Sequence, residues 1–158
     1  CGAKMNKAKL AQVDLSKADL SGANLTGADL TESNLRDCDL SRANLTEAIL
    51  QKANLKSTFL IGANLQKTDL TDVNLEGANI SGVKLGKANC QKANMKNVDL
   101  QRSDLEHADF AQADLAGANL TGSKLVDALF KNANLTGANL NLTDTTDTDF
   151  SDAKGYNS

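Results

Sequence analysis

Residues 18–30 read A-D-L-S-G-A-N-L-T-G-A-D-L, which is a single five-residue unit in tandem. A small residue, usually Ala, comes first; Asp or Asn follows, then Leu, then two polar residues or Gly. We call the Leu position the centre of the repeat. Centres fall at every multiple of five from Met5 to Phe150, and 22 of these 30 centres are Leu. The rest of the chain is a variation on this unit.

A period of five fits neither a helix nor a straight strand. Centres would rotate by about 140° each around an α-helix and would leave no buried stripe. On a straight strand, successive centres would point to opposite faces. If the chain instead bends by about a right angle per repeat, the centre and the small residue two before it both point inward. Four repeats then close a coil of 20 residues, which predicts about 7.5 stacked coils and a rod of about 36 Å.

The phenylalanines provide a separate check on the number of repeats per coil. Three of the four occupy centres, at Phe110, Phe130 and Phe150, and they are 20 residues apart. A four-sided coil places all three on one inner face in successive coils, where stacked rings contribute about 0.5–1.5 kcal/mol per pair beyond burial. The spacing therefore supports a coil of four repeats.

The uninterrupted tandem motif A-(D/N)-L-x-x, from Ala3 to about Ala153, resembles the pentapeptide-repeat proteins. The resemblance implies a right-handed quadrilateral parallel β-helix of about 7–8 coils, an all-β solenoid with Leu and Phe centres inside. It also implies a photosynthetic source, since such proteins are abundant in cyanobacteria and occur in plant chloroplasts. Most members have no assigned biochemical activity, whereas some occupy the DNA site of gyrase.

Composition and length predict one repeat domain over residues 1–158. Aromatic residues make up 3% of the chain and there is no Trp or Pro, which suits a narrow solenoid interior whose stability is summed over coils. The net charge of −3 argues against direct nucleic-acid binding, which needs phosphate-neutralising cations. No apolar run is long enough to predict a transmembrane segment.

The two ends of the solenoid are expected to need caps or partners. Neither end shows an amphipathic helix that could cap the solenoid, and open ends expose unpaired backbone, so end-to-end self-association is one expectation. The start at Cys1 rather than Met predicts a domain excised from a larger protein, or a lipid-modified or transit-processed chain. The compartment stays open between cyanobacterial cytoplasm or periplasm, thylakoid lumen, and the soluble part of a larger membrane protein.

No set of residues predicts catalysis, a cofactor or a metal. Cys38 lies in a small-residue slot and Cys90 at a centre, about 2.6 coils apart, so we expect two buried thiols that are too distant for a disulfide. His107 is the only histidine, and the coil register places it between Lys87 and Asp127 on an outer column. Clustered C-terminal aspartates lack the spacing of a calcium loop. We therefore predict that the protein is not an enzyme.

Outward positions 20 residues apart form columns along the rod. One column predicts an Asn ladder, whose amides bond along the stack. A second column alternates in charge and predicts ion pairs between coils. Gly recurs two places after the centre, which predicts corners with positive φ. The ladder is Asn34, Asn54, Asn74, Asn94, and the charged column is Lys84, Asp104, Lys124, Asp144.

Phe59 and Ile61 are the candidate contact surface. They flank the inward Leu60 and should both face out, while Ile49 and Leu129 are further outward apolar positions. These features predict a non-enzymatic structural or protein-interaction module with a protein partner. The alternative is a DNA mimic that inhibits gyrase or topoisomerase. The near balance of 20 acidic and 17 basic residues disfavours it, because a mimic of duplex DNA needs dense negative charge.

Overall fold

The repeat backbone runs through the whole of the computed structural model, which describes residues 2–156. Cys1, Asn157 and Ser158 lie outside this described part, and so does the prediction about Cys1. Within residues 2–156 there is no helix, and each side of a coil is one bridged residue rather than a longer strand. The chain is thus a parallel β-helix assembled from isolated bridges.

Each bridge joins a residue to the one 20 positions later. The first is Lys4↔Asn24 and the last Asn134↔Lys154, all parallel and five residues apart. The Met5 N–H donates to the Asn24 carbonyl at 2.8 Å, and the Asn24 N–H donates back to the Ala3 carbonyl at 2.8 Å. This pattern repeats in every coil, so four bridged sides make one coil of 20 residues, as the five-residue period predicts.

A tight turn closes each side. The centre's carbonyl accepts the N–H three residues later, as from Ala23 to Leu20 at 3.0 Å. The second turn residue has positive φ at all 31 corners from 2 to 152, as at position i+2 of a type II turn. Glycine fills nine of these corners, as predicted, but 22 hold other residues, such as Lys87 with φ 61°. None of the 22 is β-branched, because a branched side chain is least tolerated there.

The core is the interior of the coil, filled by centres and by the small residues two before them. From Leu20 to Leu135 these residues are buried, and the predicted inward orientation is confirmed. Phe110, Phe130 and Phe150 stack with ring centroids 4.8 and 5.3 Å apart, which confirms the coil length independently. In the first and last coils the equivalent residues are partly buried, or exposed at Ala3 and Val13, since one side of each has no neighbouring coil among residues 2–156.

The C-terminal end departs from the repeat in a way that the period does not predict. Lys154 still bridges Asn134, but Gly155 occupies the next centre position with φ 81°. A Cβ at Gly155 would lie 2.6 Å from the Thr136 Cα, so the chain here runs directly against the coil beneath it. Tyr156 then stacks on Phe150 with ring centroids 3.8 Å apart. The tyrosine ring thereby covers Phe150 in the last described coil.

Candidate surface and relation to known proteins

Phe59 and Ile61 are exposed on one coil, where the sequence predicts them. Their exposed fractions are 50% and 44%, while Leu60 between them is fully buried. Phe59 is the bridged residue of its side and lies between Asp39 and Asn79. Ile61 is the first residue of the next turn. Two exposed apolar side chains therefore flank the buried Leu60, one on a side of the coil and the other in the turn that follows it.

Ile61 lies where two shallow grooves meet along one corner of the solenoid. One groove runs from Ile61 towards Arg42, and the other runs towards Arg102. The remaining lining residues are mostly Gly and Ser, so the corner is low and the larger side chains project from it. These lining residues are Gly2, Ser21, Gly22, Ser41, Gly62, Ser81, Gly82, Asp99 and Gln101.

Ile49 and Leu129 do not join this surface. Both are exposed, at 41% and 42%, but each is bridged between residues of another side of the coil. Aspartates flank both: Ile49 lies between Asp29 and Asp69, and Leu129 lies between two further aspartates. They are isolated apolar side chains, and they offer matched controls for Phe59 and Ile61.

The residue before each centre accepts hydrogen bonds from its own turn. The Asp29 Oδ1 accepts the Thr31 N–H at 3.0 Å and the Thr31 hydroxyl at 2.7 Å. The hydroxyl and backbone bonds from Thr31 hold the pKa of the Asp29 carboxyl below its usual range. Equivalent bonds recur at most Asp and Asn residues of this slot. The turn is therefore stabilised by a side chain as well as by its backbone.

The Asn ladder forms only in part. The Asn54 amide donates to the Asn34 Oδ1 at 3.4 Å, and the Asn94 amide donates to the Asn74 Oδ1 at 3.1 Å. No such bond joins Asn74 to Asn54 within the described chain. The ladder bonds are incomplete because each Asn Oδ1 already accepts a hydrogen bond from its own turn. The Lys56 N–H, for example, donates to the Asn54 Oδ1 at 3.2 Å.

The predicted ion pairs of the charged column are wrong. Lys84, Asp104, Lys124 and Asp144 are bridged in that order, but no ion pair joins them within residues 2–156. The Lys124 Nζ lies 4.0 Å from the Glu106 Oε1 instead. Turn hydrogen bonds hold the aspartates: the Asp104 Oδ1 accepts the Glu106 N–H at 3.2 Å, and Thr146 binds Asp144 in the same way. Lys124 therefore approaches Glu106, whose side chain is longer than that of an aspartate and is not engaged by its own turn.

His107 and the two inward cysteines lie where the repeat register predicts them. The His107 Nδ1 is 3.5 Å from the Asp127 Oδ2, beside a groove that includes Lys87. Cys38 and Cys90 are free and buried. Burial raises the pKa of the Cys38 thiol to about 11 and raises the pKa of Cys90 as well, which makes both poor nucleophiles at neutral pH.

Within the described part, no group of three or more His, Cys, Asp or Glu residues has the geometry to hold a metal ion. No helix in residues 2–156 is long and apolar enough to cross a bilayer.

Net charge alternates from coil to coil, a feature that a count in blocks of 20 would have revealed from the sequence. Residues 41–60 carry three Lys or Arg and one acidic residue, and residues 61–80 carry one and three. Residues 81–100 carry four and one, and residues 101–120 carry one and four. Ion pairs link these coils, as from Lys56 to Glu76 at 3.2 Å and from Lys96 to Asp114 at 3.1 Å. Each coil therefore faces neighbours of opposite charge.

Comparison with known proteins identifies the repeat. The family profile for pentapeptide repeats matches in eight copies, which together cover the overlapping ranges 2–37, 23–60, 38–77, 48–86, 74–115 and 113–152. A search of curated protein sequences found no match.

Several solved structures align with most of the chain. HetL, a pentapeptide repeat protein involved in heterocyst differentiation regulation from the cyanobacterium Nostoc sp., is 31% identical with a TM-score of 0.55; the alignment covers 99% of this chain and 85% of HetL. A pentapeptide repeat protein from the Arabidopsis thaliana thylakoid lumen is 31% identical over 70% of this chain and 66% of its own, with a TM-score of 0.38. Trypsin-treated QnrB1, a plasmid-mediated fluoroquinolone resistance protein, is 21% identical over 97% and 88%, with a TM-score of 0.46.

The family profile covers nearly the whole described chain, and HetL aligns with it from end to end at 31% identity. The period, the bridges 20 residues apart and the inward centres are those that the repeat motif requires. This protein therefore belongs to the pentapeptide-repeat family.

Proposed function

We propose that this protein is a non-enzymatic interaction module that binds another protein through Phe59 and Ile61. The observation that carries the proposal is the exposure of two apolar side chains only two residues apart, whereas the other exposed large apolar residues occur singly along the chain, at Val13, Ile49, Leu129 and Leu142. Contiguous exposed apolar groups rimmed by polar residues are typical of protein-binding sites. The fold proposed for this module is a single domain over residues 1–158, a right-handed, four-sided solenoid of seven to eight coils.

The scaffold favours binding because it presents the two side chains rigidly. Phe59 belongs to a ladder in which its N–H donates to the Cys38 carbonyl at 3.0 Å, and its own carbonyl accepts the Leu40 N–H at 2.7 Å. A surface that is ordered before binding loses little conformational entropy when a partner docks. Aromatic anchors of this kind contribute most of the free energy in many interfaces.

The biological setting is also a proposal. HetL is described as a protein involved in regulation of differentiation, and a regulatory protein contact is the role proposed here by similarity. The source is proposed to be photosynthetic, with cyanobacterial cytoplasm or periplasm and the thylakoid lumen as candidate compartments.

A gyrase-directed DNA mimic remains the weaker alternative. Duplex DNA presents continuous negative charge along its axis, at about one charge per 1.7 Å. The rod described here changes sign from coil to coil, with four cations in residues 81–100 between two acidic coils. Such a surface matches a DNA-binding channel poorly.

Photocrosslinking combined with substitution tests the proposed surface. Phe59 is replaced by benzoylphenylalanine, and the crosslinked proteins of a cyanobacterial extract are identified and then expressed for a direct binding assay. Binding of the purified partner should be lost in Phe59→Ser/Ile61→Ser. It should persist in Ile49→Ser/Leu129→Ser, which removes similarly exposed apolar groups elsewhere. Equal binding by both double variants would refute this surface, provided that far-UV circular dichroism shows both to be folded.

A further inference from the structure

Two arginines lie in one row of stacked corners, with only glycine corners between them. The Arg42 N–H donates to the Ile61 carbonyl at 3.0 Å, and the Gly62 N–H donates to the Ser81 carbonyl at 3.0 Å, so these corners stack coil on coil. Arg42 and Arg102 are three coils apart, which is about 14 Å at the spacing of neighbouring strands. We call this row the arginine corner, and its members are Arg42, Gly62, Gly82, Arg102.

Both arginines of this corner are exposed and lack a counterion in the described structure. No ion pair and no side-chain hydrogen bond joins either guanidinium to another residue of the range 2–156. An aspartate lies three residues before each arginine, but its own turn engages it. The Asp39 Oδ1 accepts the Ser41 N–H at 2.8 Å. The Asp99 Oδ1 accepts the N–H and the Nε2 of Gln101, at 3.2 and 3.1 Å.

The corner between the two arginines is open. A Cβ added at Gly62 or at Gly82 would meet no atom within 4 Å. Ile61, which is 44% exposed, lies beside Gly62 in the two grooves that run towards the arginines. Ser41 and Ser81 line the same grooves and carry hydroxyl groups that can bond to a peptide backbone. Along the rod, a ligand therefore meets a cation, an apolar side chain and a second cation.

We propose that the arginine corner binds an extended acidic segment of the partner protein, in which two carboxylates flank an apolar side chain. This inference rests on the proposed function, which makes Ile61 part of a protein-binding surface. An extended chain advances about 3.4 Å per residue, so residues i and i+4 are about 14 Å apart and share one face with residue i+2. Carboxylates at i and i+4 then meet Arg42 and Arg102, and the apolar residue at i+2 meets Ile61.

The chemistry of the corner favours such a segment over a helix or a nucleic acid. Guanidinium groups bind carboxylates through two parallel hydrogen bonds. An extended segment, unlike a helix, leaves backbone N–H and carbonyl groups free for Ser41 and Ser81. A nucleic-acid strand carries a phosphate about every 3.4 Å, so most of its charges would meet no cation between the arginines. Ile61 would also have no apolar group to contact there.

Titration with a defined peptide tests the arginines. The probe is acetyl-Glu-Ser-Leu-Ser-Glu-amide, and its binding to nitrogen-15-labelled protein is followed by NMR at low ionic strength. The amide signals of Ile61, Gly62 and Gly82 should shift and saturate. Arg42→Gln/Arg102→Gln should weaken binding by at least about fivefold, because two ion pairs are lost. The absence of saturable shifts at this corner would overturn the proposal.

Lys52→Gln/Lys92→Gln is the matched control. It removes the same charge from the opposite corner of the coil and should bind the peptide as the wild type does. Gln12 and Gln112 already occupy corners with positive φ, so glutamine should be tolerated in both double variants. Equal weakening by the two double variants would show that net charge alone attracts the peptide, and the proposal would be wrong.

Three further probes separate this inference from the proposed function. A peptide with Gln in place of both Glu residues should bind more weakly; equal binding would overturn the acidic partner and leave the proposed function standing. A peptide with Ser in place of Leu should also bind more weakly, and equal binding would contradict the proposed function itself. A short oligothymidylate should bind more weakly than the acidic peptide, and tighter binding would replace the protein segment with a nucleic acid.

Discussion

At the scale of the residue, the outward Asp and Asn positions stabilise the turns through local bonds. The Asp19 Oδ1 accepts the Ser21 hydroxyl at 2.6 Å and the Ser21 N–H at 3.0 Å. The motif predicted Asp or Asn at these positions, but it could not predict which partner the side chain would bind. An outward carboxylate can bond to the next coil in a ladder, form an ion pair, or accept hydrogen bonds from its own turn. The N–H two residues on is a donor within reach in every turn, and this local bond needs no long side chain to be ordered.

Acid should destabilise the protein through these carboxylates. Hydroxyl and backbone hydrogen bonds hold the pKa values of Asp19, Asp29 and Asp144 below the usual 3.8. A carboxyl whose pKa is lower in the folded state stabilises it above the unfolded pKa, and this stability is lost as the pH falls through the folded value. Urea midpoints should therefore be constant from pH 7 to about 5 and should fall between about pH 4 and 2.

Asp19→Asn/Asp29→Asn/Asp144→Asn is the control for this effect. Asn occupies the same slot at Asn24, where its Oδ1 accepts the Thr26 N–H at 3.1 Å, so the turns should persist. The variant should lose part of the decline in the urea midpoint below about pH 4, because three titrating groups are gone. An unchanged decline would mean that other groups cause the acid sensitivity.

Leu70→Lys tests the inward orientation of the centres. Leu70 is fully buried, and a lysine there would place an unpaired charge among Leu and Ala side chains. The loss in free energy of unfolding should exceed the about 2–5 kcal/mol that a buried Leu→Ala change costs. Gln112→Lys, at an exposed corner of the kind that other lysines occupy, should change stability by less than about 0.5 kcal/mol. Urea titration at neutral pH measures both.

At the scale of the element, the turn and the C-terminal hook of residues 154–156 behave differently. The turn is a local unit, and its positive φ recurs at every corner whether the residue is Gly or not. The hook depends on contacts with the coil beneath it, since Gly155 lies against Thr136. The period predicted the turns, but it could not predict that the coil ends with a ring stacked on Phe150.

Gly155→Ala and Gly137→Ala separate conformational strain from close contact. Both glycines have positive φ, at 81° and 72°, so both changes should cost about 1–2 kcal/mol through the left-handed conformation alone. A Cβ at Gly137 meets no atom within 4 Å, whereas one at Gly155 meets the Thr136 backbone. Only Gly155→Ala should therefore displace Tyr156, the sole tyrosine of a chain that lacks Trp.

Near-ultraviolet circular dichroism of the tyrosine band measures that displacement. The band should weaken in Gly155→Ala and remain in Gly137→Ala. An unchanged band in Gly155→Ala would show that the hook tolerates the extra methyl group, and that Thr136 moves instead.

At the scale of the whole molecule, alternation of charge between coils sets the electrostatics. Neighbouring coils attract although each exposed ion pair contributes only about 0–1 kcal/mol. The Lys67–Glu47 pair, at 3.4 Å, joins two such coils. The alternation extends over the whole chain, since residues 21–40 carry one Arg and four acidic residues between two blocks with a net positive charge.

Reversing the charge of one coil should destabilise the rod. Lys84→Glu/Lys92→Glu changes residues 81–100 from four cations and one acid to two cations and three acids, between neighbours that are already acidic. The urea midpoint should fall at low ionic strength and recover towards the wild-type value in about 1 M salt, since screening removes the repulsion. At low ionic strength the urea midpoint of Lys84→Gln/Lys92→Gln should lie between those of the wild type and of Lys84→Glu/Lys92→Glu. A loss that salt does not change would indicate a packing effect instead.

The sequence by itself determined the length of the coil, the inward centres and the corners. It could do so because every repeat has the same local turn, and an exact period of five leaves one register between coils. Tertiary structure alone decided that Lys124 approaches Glu106 rather than Asp144 and that Tyr156 lies on Phe150. These outcomes depend on competition among side chains of different lengths in neighbouring coils, and on where the chain leaves its repeat, which a periodic pattern does not specify.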